Sequence, residues 1–208
     1  MRAILGGTIA AYRGDPAYRQ RPDVHDELER IGRRLNQPMC IALAGTLKAG
    51  KSTLVNALVG DTIAPTDATE ATRIVTWFRN GPTPRVTANH RGGRRSNVPI
   101  ARDPGDRGLT FNFASLDPND VVDLDVDWPA EELIDTTIID TPGTSSLNRD
   151  VSERTLRLLV PEDGVPRVDA VVFLLRTRNA ADIALLKQIG TLVAVSYTHL
   201  TLPTTPYV

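Results

Sequence analysis

The spacing of apolar and polar residues predicts a helix, a strand and a second helix in the first third of the chain. Positions 23–35 carry apolar residues at the three- and four-residue spacing of an amphipathic helix. Positions 41–44 form a short apolar run that ends at Gly45, and 52–59 follow as a helix that ends at Gly60. The chain is therefore predicted to pass from a buried strand through a tight turn into a helix.

Strand-like and helix-like stretches alternate in the rest of the sequence. Positions 61–71 are rich in Thr, Asp and Pro and are predicted as a loop, and positions 90–107 are basic and turn-rich. In 122–128, Val122 and every second residue after it are apolar, so these side chains are predicted to face the core while three aspartates face solvent. The predicted strands are 74–78, 85–88, 122–128, 137–140 and 168–175, and the predicted helices are 152–159 and 180–189. This order predicts an α/β fold, with a mainly parallel sheet and helices on both faces.

Composition and charge exclude several classes of protein. Acidic and basic residues nearly balance, with a formal net charge of -1, which argues against a polyanionic partner such as nucleic acid. Cys40 is the single cysteine, so an intrachain disulfide is excluded, and its apolar neighbours favour a packed core thiol. The apolar run 171–175 is too short to span a membrane, and the apolar stretch near the N-terminus breaks at Gly6-Gly7, which disfavours a signal peptide. We therefore expect a cytoplasmic protein.

The end of the chain differs in composition from the rest. No residue after Lys187 is charged, and the Thr-rich sequence from about Val195 back-translates into a string that resembles a sequencing-library adapter. We therefore predict an N-terminal helical segment at 1–37, a partial domain at 38–190 that is truncated before its last strands, and a non-native read-through tail at 191–208. The alternative is a genuine β-strand with a Pro-rich end.

A complete phosphate-loop motif, G-x-x-x-x-G-K-[ST], occupies 45–52 between the predicted strand and helix. Glycine at both ends lets the backbone turn tightly and approach phosphates, while the loop amides and the helix N-terminus attract anions. Lys51 is predicted to neutralise the β- and γ-phosphates, and Ser52 to offer its hydroxyl to Mg²⁺. The predicted nucleotide-binding residues are Gly45, Thr46, Leu47, Lys48, Ala49, Gly50, Lys51, Ser52, Thr53, Asp140 and Gly143.

A second motif, Asp140-Thr141-Pro142-Gly143, ends the predicted strand 137–140. A carboxylate at the C-terminal end of a strand can reach, through a water, a Mg²⁺ held by Ser52. The amide of Gly143 can donate to the γ-phosphate, so that loss of this phosphate would release the segment that follows. Together, the two motifs predict a P-loop NTPase of the switch GTPase type.

Three stretches of sequence resemble the GTPase domain of bacterial dynamin-like proteins. The first is PMCIALAGTLKAGKSTLVNALVGDTIAPTDATEATRIVTWF, and IIDTPGTSS and VDAVVFLLRTRNAAD look like its continuation. The likeness is in particular to an actinobacterial, isoniazid-inducible branch of that family, and it runs from Met1 to about Gly190. The resemblance implies that the chain is the N-terminal fragment of a longer protein.

The resemblance also implies a function and a set of residues. Members of this family bind and hydrolyse GTP with Mg²⁺, associate with themselves or a related dynamin-like partner, and remodel membrane lipid at the inner face of the plasma membrane. Thr72 would close over Mg²⁺ and the γ-phosphate, with Thr69 as a less favoured candidate. Lys48 lies where some large GTPases carry a catalytic Arg, although a solvent-facing loop residue is an equal alternative. The implied catalytic residues are Lys48, Lys51 and Thr72, and the implied metal-binding residues are Ser52, Thr72 and Asp140.

Two other functions fit the same motifs. An Era-like switch GTPase would dock on RNA or the ribosome, but the long stretch between Thr72 and Asp140 favours the larger dynamin-like class. A nucleotide-binding scaffold with negligible hydrolysis is the third reading, because 144–146 replace the catalytic Gln of Ras-like enzymes with Thr and Ser. Guanine specificity rests on the family resemblance, since the letters of a base-reading motif in 177–182 follow the wrong strand. The basic stretch 91–107 is interpreted as a solvated insertion, so no nucleic acid is expected.

Overall fold

The computed structural model describes residues 2–16, 21–46, 48–64, 74–102, 109–111, 120–143 and 168–175. Leu47 and Thr72 of the predicted site lie outside the described residues, as do the predicted helices 152–159 and 180–189 and the predicted tail 191–208.

Three helices are described: α1 is Arg2–Gly14, α2 is Pro22–Leu35 and α3 is Lys51–Val59. α1 runs through Gly6 and Gly7 and lies within the segment 1–37 that was predicted to be helical. Packing against α2 buries Ile9, and this burial offsets the cost of about 1 kcal/mol that each glycine imposes in a helix. No helix among the described residues is long and apolar enough to cross a membrane.

Nine strands lie in the part of the chain that the structure describes. They are β1 Met39–Gly45, β2 Val75–Asn80, β3 Arg85–His90, β4 Arg95–Val98, β5 Ile100–Arg102, β6 Leu109–Phe111, β7 Val121–Trp128, β8 Thr136–Asp140 and β9 Ala170–Leu174. Seven of them make one sheet in the order β4-β3-β7-β2-β8-β1-β9, and β5 pairs with β6 separately. The predicted α/β fold is confirmed.

The large sheet is mixed, although the sequence analysis expected a mainly parallel one. β1 lies parallel to β8 and β9, and β2 lies parallel to β7, whereas β2–β8, β3–β7 and β3–β4 are antiparallel. The turn 81–84 explains much of the difference. It joins β2 to β3 across the intervening strand β7, and so short a connection can only reverse the chain direction.

The sheet has an apolar cluster on each face. The first packs against α3 and includes Leu43, Val55, Phe78, Leu124 and Val126. The second consists of Ala42, Val75, Ile139 and Val168, with Cys40 and Trp77 packed at its border. Burial raises the pKa of the Cys40 thiol, in accord with the predicted core thiol.

A register shift in β7 reverses the predicted orientation of its first residues. β7 pairs with β3 at Asp123 opposite Asn89, and at Val121 opposite His90, so Val122 is the extra residue of a bulge. Val121 is 1% exposed and Val122 is 49% exposed. The simple alternation of the sequence placed Val122 in the core, and that placement was wrong. The alternation from Asp123 to Trp128 follows the prediction.

The basic stretch is partly a strand and partly an ion-pair partner of the acidic stretch. β4 and β5 lie within this stretch, to which the sequence analysis assigned no strand. Arg94 pairs with Asp120 at 2.8 Å, and Arg95 lies 3.3 Å from Asp125. The buried ring of His90 contacts Asp120 and Ser96 at 2.9 and 2.6 Å, and this ties the ends of β3, β4 and β7 together.

The bulge predicts that Val121 contributes more to stability than Val122, whereas simple alternation would predict the opposite. Val121→Thr should destabilise the protein by about 1–3 kcal/mol, because it buries a hydroxyl where the valine methyl was. The matched change Val122→Thr should stay within about 0.5 kcal/mol, because that side chain is half exposed. Urea unfolding followed by circular dichroism measures both values. A larger loss for Val122→Thr would contradict the register.

Candidate nucleotide-binding site

The loop between β1 and α3 adopts the tight turn that its glycines permit. Gly50 is the N-cap of α3 with φ 92°, and Lys48 is a non-glycine residue with φ 60°. The amide of Ala49 donates to the Thr46 carbonyl at 3.2 Å, and that of Leu54 donates to the Gly50 carbonyl at 2.9 Å, where the helix begins. The free amides of the first turn of α3 therefore open toward the loop, as an anion site requires.

Gly45 is fixed by its neighbour strand as well as by the turn. Its φ is 146°, and a Cβ added there would lie 2.3 Å from the carbonyl oxygen of Leu174 in β9. Backbone cannot yield to such a contact, so this position excludes any side chain. The first glycine of the motif thus lets β1 and β9 lie side by side at the point where the loop begins.

Lys51 holds its ammonium group over the loop. The residue is 8% exposed, and its Nζ donates to the carbonyls of Gly45 at 3.4 Å and Thr46 at 3.1 Å. Burial lowers the pKa of Lys51, and the charge of Asp140 opposes this shift. The side chain is therefore a desolvated cation held by two neutral carbonyls, and it is poised to gain from an anionic ligand.

Ser52 and Asp140 meet where α3 begins and β8 ends. The Ser52 hydroxyl donates to one carboxylate oxygen of Asp140 at 2.7 Å. The other carboxylate oxygen, Oδ1, is buried and has no hydrogen-bond partner. Burial raises the pKa of Asp140, while the hydrogen bond from Ser52 and the charge of Lys51 oppose the shift. An orphaned buried carboxylate oxygen beside a hydroxyl is a pair of hard oxygen donors, which fits the ligand preference of Mg²⁺.

Thr141 locks this junction, and the sequence analysis gave it no role. Its hydroxyl and its amide both donate to the Leu43 carbonyl, at 2.8 and 3.3 Å. Leu43 is also the β1 partner of Asp140 in the sheet register. The lock holds the end of β8 beside the start of the phosphate loop. The available signal was a threonine directly after a strand, where its hydroxyl commonly bonds to backbone.

The predicted residues fall into two groups. The loop residues Gly45, Thr46, Lys48, Ala49, Gly50, Lys51, Ser52 and Thr53 lie together at the end of β1, and Asp140 and Gly143 lie at the end of the neighbouring strand. Thr53 and Lys48 are exposed, whereas Lys51 points inward. Leu47 and Thr72 lie outside the described residues, so their predicted roles remain predictions.

Residues 41–104 match the model of the Dynamin family. This region holds β1 from its third residue, the phosphate loop and α3. The chain is 76% identical over 196 residues to the isoniazid-induced protein IniC of Mycobacterium tuberculosis. The aligned residues make up 94% of this chain and 39% of IniC. The chain is a dynamin-like protein.

Other proteins resemble part of the sequence or the fold. A bacterial dynamin-like protein of Nostoc punctiforme is 37% identical over 54 residues, which is 26% of this chain and 8% of that protein. Two solved structures from an oligomerised bacterial dynamin pair that senses and tethers membranes match with TM-scores of 0.53 and 0.54. They are 19% and 18% identical, cover 80% and 89% of this chain and 26% and 28% of theirs, and show the fold. The dynamin-like chain spans 39% of the length of IniC.

Because the carboxylate of Asp140 is buried, we expect it to destabilise the ligand-free protein. Asp140→Asn should raise the free energy of unfolding at pH 7, without metal, by about 0.5–2 kcal/mol, because it removes a desolvated charge. The raised pKa means that folded Asp140 holds its proton more tightly than unfolded Asp140, so the cost exists at high pH and disappears as the pH falls. The gain from the substitution should therefore shrink between neutral pH and pH 4.

Chemical unfolding of both proteins in EDTA at pH 7 and pH 4 measures the gain. Asp135→Asn, on the turn before β8, is the matched control and should change stability little at either pH. A variant that is less stable than the wild type at pH 7 would contradict the reading of Asp140 as a strained site.

Proposed function

We propose that this dynamin-like chain binds and hydrolyses GTP. The observation that carries the proposal is the contact between Ser52 and the half-satisfied carboxylate of Asp140, next to a desolvated Lys51. In a protein that binds no phosphates, this arrangement would only lower stability. Its cost is understandable if a charged ligand completes it.

The phosphate groups of the nucleotide would be held by the loop. The amides of the loop and of the first turn of α3 supply hydrogen bonds, and Lys51 supplies the positive charge. The ammonium of Lys51 exchanges its bonds with the Gly45 and Thr46 carbonyls for charge-assisted bonds to phosphate oxygens, which are roughly twice as strong. Binding therefore offsets the free-energy cost of removing the Lys51 charge from water.

Ser52 and Asp140 would hold Mg²⁺, with Thr72 as the third predicted ligand. The ion supplies positive charge next to the β- and γ-phosphates. The Ser52 hydroxyl, which donates to Asp140 in the described structure, would turn its lone pairs to the ion, and the bare oxygen of Asp140 would gain a partner. Thr141 keeps the carboxylate in place during this exchange, because it holds the strand end independently.

Hydrolysis would transfer the γ-phosphoryl group to a water molecule. The attacking water loses a proton, the bond between the γ-phosphorus and the bridging oxygen breaks, and GDP and phosphate leave. The amide of Gly143 would sense the γ-phosphate. Since 144–146 offer no catalytic Gln, backbone groups and a charge from the phosphate loop would orient the water. Lys48 is the proposed source of that charge, because it is exposed at the tip of the loop and held at φ 60°.

The whole protein would use GTP for self-association and membrane remodelling at the inner face of the plasma membrane. Its similarity to structures of an oligomerised bacterial dynamin pair supports this step, as does the Dynamin family match. Docking on RNA receives less support, because Arg94 and Arg95 form ion pairs with aspartates of the same chain. Guanine specificity rests on the family.

Phosphate release from GTP tests the proposal. Lys51→Ala should lower release by at least about 100-fold, because phosphate binding is lost. Lys48→Ala should retain most of the affinity for a non-hydrolysable GTP analogue and lower kcat by roughly 10- to 1,000-fold, since its charge would act in the transition state. Arg30→Ala, which removes an exposed cation paired with Glu27 on α2, is the control and should change neither quantity.

Each outcome discriminates between readings. Unchanged kcat in Lys48→Ala would make this residue a solvent-facing part of the loop. A wild-type chain that binds GTP without releasing phosphate would favour the nucleotide-binding scaffold. Equal release by the wild type and Lys51→Ala would remove the phosphate loop from the mechanism.

A further inference from the structure

Thr76 is a buried polar residue in an otherwise apolar row of side chains. It is 6% exposed, and the residues two positions before and after it, Ile74 and Phe78, both belong to the apolar cluster that packs against α3. The Thr76 hydroxyl donates to the Ile74 carbonyl at 3.3 Å. Hydroxyl donors usually lie about 2.5–3.0 Å from an oxygen acceptor. This hydroxyl is therefore removed from water and only weakly bonded.

The sheet places Thr76 opposite the half-satisfied carboxylate of the nucleotide site. β2 and β8 are antiparallel, and Thr76 is the register partner of Asp140. Both side chains lie on the face that carries α3, because Asp140 contacts Ser52 there and Thr76 shares its face with Phe78. Directly opposed residues on one face have Cβ atoms about 4.5–5.5 Å apart. Rotation of the Thr76 side chain can therefore bring its hydroxyl to Oδ1 of Asp140, the oxygen without a partner.

A single hydrogen bond leaves the orientation of a carboxylate open. Ser52 donates to one oxygen of Asp140 at 2.7 Å, and the plane of the carboxylate can still turn about that contact. Mg²⁺ requires near-ideal octahedral geometry, so a carboxylate that holds the ion or one of its waters has to keep one orientation. Groups that form hydrogen bonds to metal ligands commonly fix this orientation. A second donor, at Oδ1, would fix it here.

We propose that Thr76 is a positioning residue of the metal site, whose hydroxyl turns from the Ile74 carbonyl to Oδ1 of Asp140 and holds the carboxylate toward the cation. The inference rests on the proposed function, because it assigns a partner to the proposed ligand Asp140. The exchange replaces a long bond to a neutral carbonyl by a charge-assisted bond, which is roughly twice as strong. Thr76 would touch neither the nucleotide nor the cation and would act through Asp140 alone.

Titration of Mg²⁺ into the 208-residue chain with a non-hydrolysable fluorescent GTP analogue tests this role. Thr76→Val keeps the branched shape of the side chain and removes the hydroxyl. It should raise the Mg²⁺ concentration for half-maximal binding by about tenfold or more, the usual effect of losing a partner of a metal ligand. Affinity in EDTA should not change. Thr76→Ser keeps the hydroxyl and should retain most of the wild-type response to Mg²⁺.

Thr137→Val is the matched control. Thr137 is 4% exposed and lies three residues before Asp140 on β8, so its side chain is on the opposite face of the sheet. The same loss of a buried hydroxyl should leave the Mg²⁺ requirement unchanged there. An equal rise in Thr137→Val and Thr76→Val would show a general disturbance of the sheet and would overturn the assignment.

Unfolding without metal or nucleotide isolates the contact between the two side chains. In EDTA, Thr76→Val alone should leave the urea midpoint close to that of the wild type, because the bond that is lost is long. Ser52→Ala removes the present donor to Asp140, so that Thr76 becomes the remaining one. The double variant Ser52→Ala/Thr76→Val should therefore lower the midpoint by more than the sum of the single changes. Additive changes would contradict the contact.

The outcomes separate this inference from the proposed function. An unchanged Mg²⁺ requirement in Thr76→Val, when the wild type needs the cation, would overturn the role of Thr76 and leave the nucleotide site intact. An equal rise in Thr76→Ser would assign the effect to the methyl group and would also overturn it. Failure of Thr76→Val to fold would do the same, because a weakly bonded hydroxyl adds little to the fold. A wild-type chain without Mg²⁺-dependent binding would overturn both proposals.

Discussion

The junction between β8 and the phosphate loop is the constraint on which the rest of the site depends. The end of β8 is tied to β1 by two hydrogen bonds from Thr141 to Leu43. That tie leaves Asp140 within 2.7 Å of Ser52, at the first turn of α3. Gly45 lets β9 approach β1 from the other side. The loop between these strands therefore has a fixed base, and its amides and Lys51 point to one place.

The same junction stores a free-energy cost. Asp140 and Lys51 are both largely removed from water. Burial raises the pKa of Asp140 and lowers the pKa of Lys51, and each shift favours the neutral form. They oppose each other's shift, yet one oxygen of Asp140 stays without a partner. Natural sites accept such a cost where a ligand later supplies the missing interactions. A divalent cation and a polyphosphate supply both at once, and this is the physical link between the fold and the proposed reaction.

Local patterns in the sequence predicted the phosphate loop and Asp140, because both motifs are short and contiguous. The α/β class followed from the order of the elements. The mixed sheet and the bulge at Val122 escaped prediction, since each depends on a partner far away in sequence. The hydrogen bonds between the Asn56 side chain and the backbone of Ile63 and Ala64 escaped for the same reason, because an asparagine inside a helix does not show which backbone groups it contacts.

Binding of fluorescent GTP and ATP analogues to this chain, with Mg²⁺ and then with EDTA, tests the central claim most directly. The account predicts that the GTP analogue binds with Mg²⁺, that EDTA weakens binding, and that Ser52→Ala abolishes this dependence on the metal while retaining a weaker affinity for the phosphates. A chain that circular dichroism shows to be folded but that binds neither analogue would contradict it. Equal affinity with and without Mg²⁺ would remove Ser52 and Asp140 from the metal site.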